Sequence, residues 1–139
     1  MAKKLTPHFM FEGKAKEAME FYVSMFPGSE IIEARYYGPE GPGSEGTIVT
    51  ARFRLGEQEF QCTDSFVKHE FTFTPANSIF VECESGEEFE RLYSAFSEGG
   101  KLLMPADNYG FSSRFGWVDD RFGVSWQFNL AQVKEFIWN

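Results

Sequence analysis

Few side chains in this sequence could carry chemistry, and they lie far apart along the chain. The two imidazoles are His8 and His69, and the two thiols are Cys62 and Cys83. A nucleophilic thiol needs a base beside it, and nothing in the spacing marks either histidine as that base. The cysteines sit in apolar, strand-like runs without CxxC spacing and read as buried free thiols. There is no G-x-S-x-G elbow and no phosphate-binding P-loop. What remains is His8 on "LTPHFMFE" and the run "SRFGWVDDRFGVSWQFN", Ser113 to Asn129. In that run Asp119, Asp120 and Gly123 supply turn chemistry. Gln127 is the residue that could point at a ligand. The preceding "PADNYGFSSRFG" places Asn108, Tyr109, Ser112, Ser113 and Arg114 beside aromatic surface, as a loop over a cavity mouth could.

These residues need elements to position them. "AKEAMEFYVSMF" carries Ala15, Ala18, Met19, Tyr22, Met25 and Phe26 at helical spacing, and Pro27-Gly28 stops it. "EIIEARYY", "TIVTARFRL" and "QEFQCTD" read as strands, the first two separated by the loop "GPEGPGSEG". With the first strand, the order is βαβββ. The order then repeats: strand "NSIFVECE", helix "GEEFERLYSAFSEGG", short strand "KLLM", then the hairpin of "RFGWVDD" and "GVSWQFN". A shift of 70 residues places Phe9 and Phe11 on Ile79 and Val81, and Phe26 on Phe96. The helices are expected over 14–26 and 86–98, and a further short helix over "LAQVKEFIW". Glu87, Glu88 and Glu90 read as a helix N-terminal charge cluster.

One helix covers one face of a sheet, so each half leaves a face uncovered. The expected fold is therefore α+β: two βαβββ modules, about 1–68 and 74–139, in one domain, forming a curved, mostly antiparallel sheet around a central cavity. Alternation selects the cavity side. If Phe9, Phe11, Ile79, Val81 and Trp126 bury the helices, then His8, Met10, Gln61, Thr63, Ser78, Phe80 and Gln127 line the cavity. A slip of one residue on the fourth strand would substitute Phe60, Cys62 and Asp64 for Gln61 and Thr63.

Composition limits the partners. Carboxylates outnumber lysine and arginine 21 to 13 for a net charge of −8, without a basic block, which argues against nucleic acid. Apolar runs are too short to span a bilayer, and the start lacks a secretory pattern, so a cytoplasmic protein without membrane attachment is expected. Seventeen Phe, 5 Tyr and 3 Trp are enough for a core and for the walls of an apolar pocket.

"FEGKAKEAMEFYVSMFPGSEI" and "FGWVDDRFGVSWQFNL" together resemble the vicinal oxygen chelate superfamily of glyoxalase I, bleomycin- and fosfomycin-resistance proteins and extradiol dioxygenases. They are most similar to its PhnB-like branch, often filed as 3-demethylubiquinone-9 3-methyltransferase-like. The resemblance covers nearly the whole chain. It implies paired βαβββ modules, a homodimer and a small-molecule site. In metal-dependent members the first and last strands of each module hold the ligands. His8 lies near the first-strand histidine position and Gln127 falls where glyoxalase-like members carry glutamate. Ser78 and Gln61 or Thr63 complete the set, with Asp64 and Glu12 as carboxylates nearby. One imidazole and neutral partners make a weak divalent site, so a metal at His8, Gln127 and Asp64 is not favoured.

Two kinds of function follow. One is an enzyme that isomerises, cleaves or opens a small organic substrate with His8 and Gln127 at its centre and Met10, Gln61, Thr63, Ser78, Phe80, Tyr109 and Arg114 around the ligand. The other is a metal-independent protein that sequesters a flat, partly apolar compound, or a vestigial dimeric module. Methyl transfer of the common type needs a Gly-rich turn between a strand and a helix in a parallel sheet. Glycine clusters here at 38–46 and 99–100, in neither context, and methyl transfer is not expected.

Overall fold

A computed structural model describes residues 2–131. The helix expected over "LAQVKEFIW" falls, from residue 132 onward, outside the described residues. The chain forms two compact units, Met1–Glu70 and Phe71–Asn139.

The first unit runs β1 (His8–Phe11), α1 (Ala15–Met25), β2 (Glu30–Tyr36), β3 (Ile48–Leu55) and β4 (Gln58–Asp64). Its sheet has the order β1-β4-β3-β2, with β1 parallel to β4 and the other pairs antiparallel. The second unit repeats the order as β5 (Ser78–Glu82), α2 (Gly86–Ser97), β6 (Lys101–Asp107), β7 (Arg114–Asp119) and β8 (Ser125–Leu130). Its sheet is β5-β8-β7-β6, with β5 parallel to β8. Each module therefore builds its own four-stranded mixed sheet. β6 runs three residues beyond "KLLM", through Pro105, with two register shifts against β7.

Helix and sheet bury each other through the stripes read from the sequence. Ala15, Ala18, Met19 and Tyr22 of α1 are buried with Phe53, Phe60 and Cys62. Met25 and Phe26, expected in the same stripe, are only half-buried at the helix end. In the second unit Phe89, Leu92 and Phe96 are buried with Val118, Trp126 and Phe128. The Phe96 ring meets Trp126 at 4.7 Å and Phe128 at 5.2 Å, both edge to face. Each such side chain contributes roughly 1.5–3 kcal/mol by leaving water.

The helix starts are secured differently. At α2, Ser85 Oγ accepts from the Glu88 N–H at 3.1 Å, and Glu88 Oε1 accepts from the Glu84 N–H at 2.8 Å, a reciprocal cap. At α1 the preceding residue, Lys14, gives no side-chain cap. The buried Asp64 at the end of β4 does this work from across the unit. Its Oδ1 accepts from the Gly13 and Ala15 N–H groups at 2.7 and 3.0 Å, and its Oδ2 from the Ile48 N–H at 2.9 Å. α1 ends where Phe26 turns extended and Gly28 adopts a φ of +74°, a conformation that favours glycine.

Candidate functional site

Each sheet has a face turned away from its helix, and alternation decides what that face displays. On β4, Phe60, Cys62 and Asp64 are buried while Gln61 and Thr63 are half-buried on the other side. The register does not slip: His8 pairs with Gln61 and Met10 with Thr63. These four residues thus share the open face of the first unit. His8 Nδ1 lies 3.1 Å from Gln61 Oε1. Thr63 Oγ1 donates to the Val49 carbonyl at 2.6 Å, so its hydroxyl proton is engaged locally.

The same row continues to residues that sequence reading missed. Gln61 pairs with Arg52 on β3, and Arg52 with Glu33 on β2. The Arg52 guanidinium bridges Glu33 Oε2 at 3.2 Å and Glu59 Oε2 at 2.9 Å, and Lys4 Nζ adds to Glu59 at 3.1 Å. Hydrogen bonds from Arg52 and then Lys4 hold the Glu59 carboxyl below the ordinary carboxylate range. The hydrogen bonds that Arg52 donates to Glu59 and Glu33 hold its guanidinium above its own ordinary range. "TARFRL" carried the signal, since Ala51 and Phe53 must face the helix and Arg52 and Arg54 must then face away.

The open face of the second unit is more apolar. Gln127 pairs in register with Phe80 and with Trp117, and its Nε2 donates to Ser78 Oγ at 2.8 Å. Trp117 Nε1 donates to Ser125 Oγ at 2.8 Å, which fixes its indole on this side. Phe80 is 50% exposed and Phe111 62% exposed. Phe115 lies 6.3 Å from Phe80, 5.1 Å from Phe111 and 6.1 Å from Tyr109, so the loop at residues 108–113 does reach this aromatic face.

Two expected site residues are elsewhere. Arg114 opens β7 on the same side as Gly116 and Val118, facing α2. Its Nε donates to Glu90 Oε2 at 2.8 Å and its guanidinium stands 5.6 Å from the Phe89 ring centroid. It does not join Phe80, Tyr109 and Gln127 because strand parity turns it to the other face. Asp64 likewise faces α1 with both oxygens occupied by backbone donors. Glu12 accepts from the His69 N–H at 3.2 Å. The cysteines are buried; burial pushes the Cys62 thiol up to about 12, with Asp64 adding to it, and the Cys83 thiol to about 11. Neither is a nucleophile at neutral pH.

A cavity of about 290 Å³ lies elsewhere in the first unit, with Glu12, Thr47, Asp64, Ser65 and Lys68 in its walls. It excludes His8 and Gln61, and its acid Asp64 is committed to the fold. The open faces, where polar side chains converge beside apolar surface, are the better candidates.

The residues do not fit a divalent metal. The open face of the first unit offers one imidazole, the Gln61 carboxamide engaged to it, and the Glu33 and Glu59 carboxylates, both held by Arg52. That of the second offers the Gln127 carboxamide engaged to the Ser78 hydroxyl. Among the described residues no three His, Cys, Asp or Glu side chains come together as a metal cluster. The carboxylate nearest His8 in the chain, Glu12, is bonded to backbone, and Asp64 is turned away.

Two βαβββ modules, each with a helix on one face of its own four-stranded sheet, are the architecture of the vicinal oxygen chelate proteins. The chain belongs to the family described as 3-demethylubiquinone-9 3-methyltransferase, whose model matches residues 3–129. The PhnB protein of Bacillus cereus is similar at 51% identity and a TM-score of 0.91, over 93% of this chain and all of that one. Protein YjdN of Escherichia coli is 21% identical over 92% of this chain and 95% of its own length. A fosfomycin resistance protein, FosX of Listeria monocytogenes, solved with Mn(II) and a dihydroxypropylphosphonic acid, shares the fold. Its TM-score is 0.62 at 15% identity, covering 93% of both chains. No helix among the described residues is long and apolar enough to cross a membrane.

Proposed function

We propose that this protein binds a small, partly apolar organic molecule on the open faces of its sheets, without a metal. The carrying observation is the second unit's face, where exposed Phe80 and Phe111 stand beside Phe115, Trp117 and the Gln127–Ser78 pair. Flat apolar surface with one or two fixed polar groups suits a flat ligand oriented by few hydrogen bonds. The open face of the first unit, taken by itself, carries His8, Gln61 and Thr63 as polar groups beside Met10. Sequestration needs no more than this. The His8–Gln61 pair favours a second reading, in which His8 also acts as an acid or base toward the bound molecule. Binding by a homodimer is part of the proposal.

Methyl transfer by a doubly wound architecture is not proposed. Consecutive parallel strands flanking a Gly-rich turn are what such a site requires. The first and last strands of each unit are the parallel ones here, and Gly38–Gly46 is a loop between antiparallel strands.

The test is a fluorescence titration with a panel of flat aromatic compounds, read through the tryptophans. His8→Ala should weaken binding on the first unit's face and Gln127→Ala binding on the second's, each about tenfold, the loss of roughly one hydrogen bond to the ligand, while leaving thermal stability nearly unchanged. Binding that neither variant disturbs would sink the proposal. Equilibrium dialysis against zinc, iron and manganese should leave the wild-type protein without stoichiometric metal. S-adenosylmethionine should give no binding heat in calorimetry.

A further inference from the structure

We propose that Gln61 is a positioning residue that holds His8 in one tautomer, with the proton on Nδ1 and a bare lone pair on Nε2. This rests on the reading above, in which His8 faces the ligand. His8 and Gln61 are register partners on the parallel strands β1 and β4, so their side chains leave the same face side by side. The distance from His8 Nδ1 to Gln61 Oε1 is 3.1 Å. An amide oxygen can only accept, so a neutral imidazole making this contact must donate from Nδ1. The hydrogen bond made by one ring nitrogen decides the state of the other, so Nε2 is then an acceptor.

One further fact favours this orientation of the amide. Gln61 pairs in register with Arg52, whose guanidinium is committed to Glu33 and Glu59. Arg52 therefore does not compete with His8 for the Gln61 oxygen. The consequence concerns ligand chemistry. A neutral His8 of this tautomer offers the bound molecule an acceptor, so the molecule presents a hydroxyl or an N–H there rather than a carbonyl. In a reaction the same nitrogen takes the proton.

The test is nitrogen NMR of protein labelled in its histidines, at a pH where the imidazoles are neutral. A His69→Asn variant assigns the two rings. In the wild type the His8 Nε2 resonance should sit at the position of a lone-pair nitrogen and Nδ1 at that of an N–H. Gln61→Leu, which removes the acceptor, should shift His8 toward the Nε2–H form that free imidazole side chains prefer. Gln61→Glu, which keeps an acceptor, should retain the Nδ1–H form. A wild-type spectrum with the proton on Nε2 overturns the proposal, as does a His8 spectrum identical in wild type and Gln61→Leu. Because the readout comes from the free protein, it can fail while ligand binding stands. Binding can likewise fail while the tautomer is as stated.

Discussion

At the scale of single residues, the polar groups inside this protein are chiefly structural. Asp64 is the clearest, since one carboxylate serves three backbone donors from the start of α1 and the start of β3. Asp64→Ala should destabilise the protein by about 3–5 kcal/mol, the cost of leaving several N–H groups without acceptors, most of them buried. Asp64→Asn, which keeps one acceptor, should lose clearly less in the same urea titration. Asp120 does equivalent work in the second unit. Its Oδ1 accepts from the Phe122 and Val124 N–H groups, and its Oδ2 from Trp126 Nε1 at 2.9 Å. The thiols give a pH signature. Both are raised in the folded state, from an ordinary 9.0 to about 12 for Cys62 and about 11 for Cys83. A raised thiol favours folding while it stays protonated. That stability is complete below about pH 9 and is lost as pH rises toward 11 and 12, where the unfolded chain has already released its protons. Thermal melts should therefore show the midpoint falling above pH 9, and a Cys62→Ala, Cys83→Ala double variant should fall less steeply. Neither thiol should react with Ellman's reagent in the native protein at pH 8.

At the scale of elements, each sheet is a sorting device, and most of the sorting was legible beforehand. Alternation placed Phe9, Phe11 and Trp126 apart from His8, Met10 and Gln127, and the helical stripes were read within a residue or two of their ends. Legibility failed where the period was interrupted. β6 continues through Pro105 because its two register shifts each absorb one residue that alternation cannot accommodate. The polarity of the loop points Arg114 to the cavity mouth, although in the strand it shares parity with Val118. Arg114 belongs both to the loop "PADNYGFSSRFG" and to the strand "RFGWVDD", and strand parity decides where it points. Arg52 was overlooked because a charge between apolar residues reads as solvated surface unless its register partners are known. Pairing across strands, as between His8 and Gln61, is likewise not written in a single segment. Two substitutions test the sorting. Trp126→Ala should cost about 3–5 kcal/mol as a large core truncation. Gly116→Ala should cost about 1–3 kcal/mol by overpacking, since a Cβ there would meet the Tyr93 ring at 2.8 Å. Both are measured by urea unfolding. A stable Trp126 variant would mean that the sheet is inside out.

At the scale of the whole molecule, the two four-stranded sheets have, among the described residues, four edges: β1 and β2 in one unit, β5 and β6 in the other. An edge strand presents unpaired backbone groups that another chain can copy, which is how soluble proteins become fibres. The chain guards its edges in two ways. β1 and β5 are short, four and five residues. β2 and β6 are seven residues each, and both are broken by register shifts, with Ile32 as the extra residue in β2 and Pro105 within β6. Exposed Ile31, Ile32 and Tyr36 make β2 the more adhesive of the long pair. The irregularity that blurs the strand pattern of this sequence thus protects it from self-templating. Deleting Ile32 should straighten that edge, and the shortened chain should then form thioflavin-binding aggregates under conditions in which the parent stays dispersed.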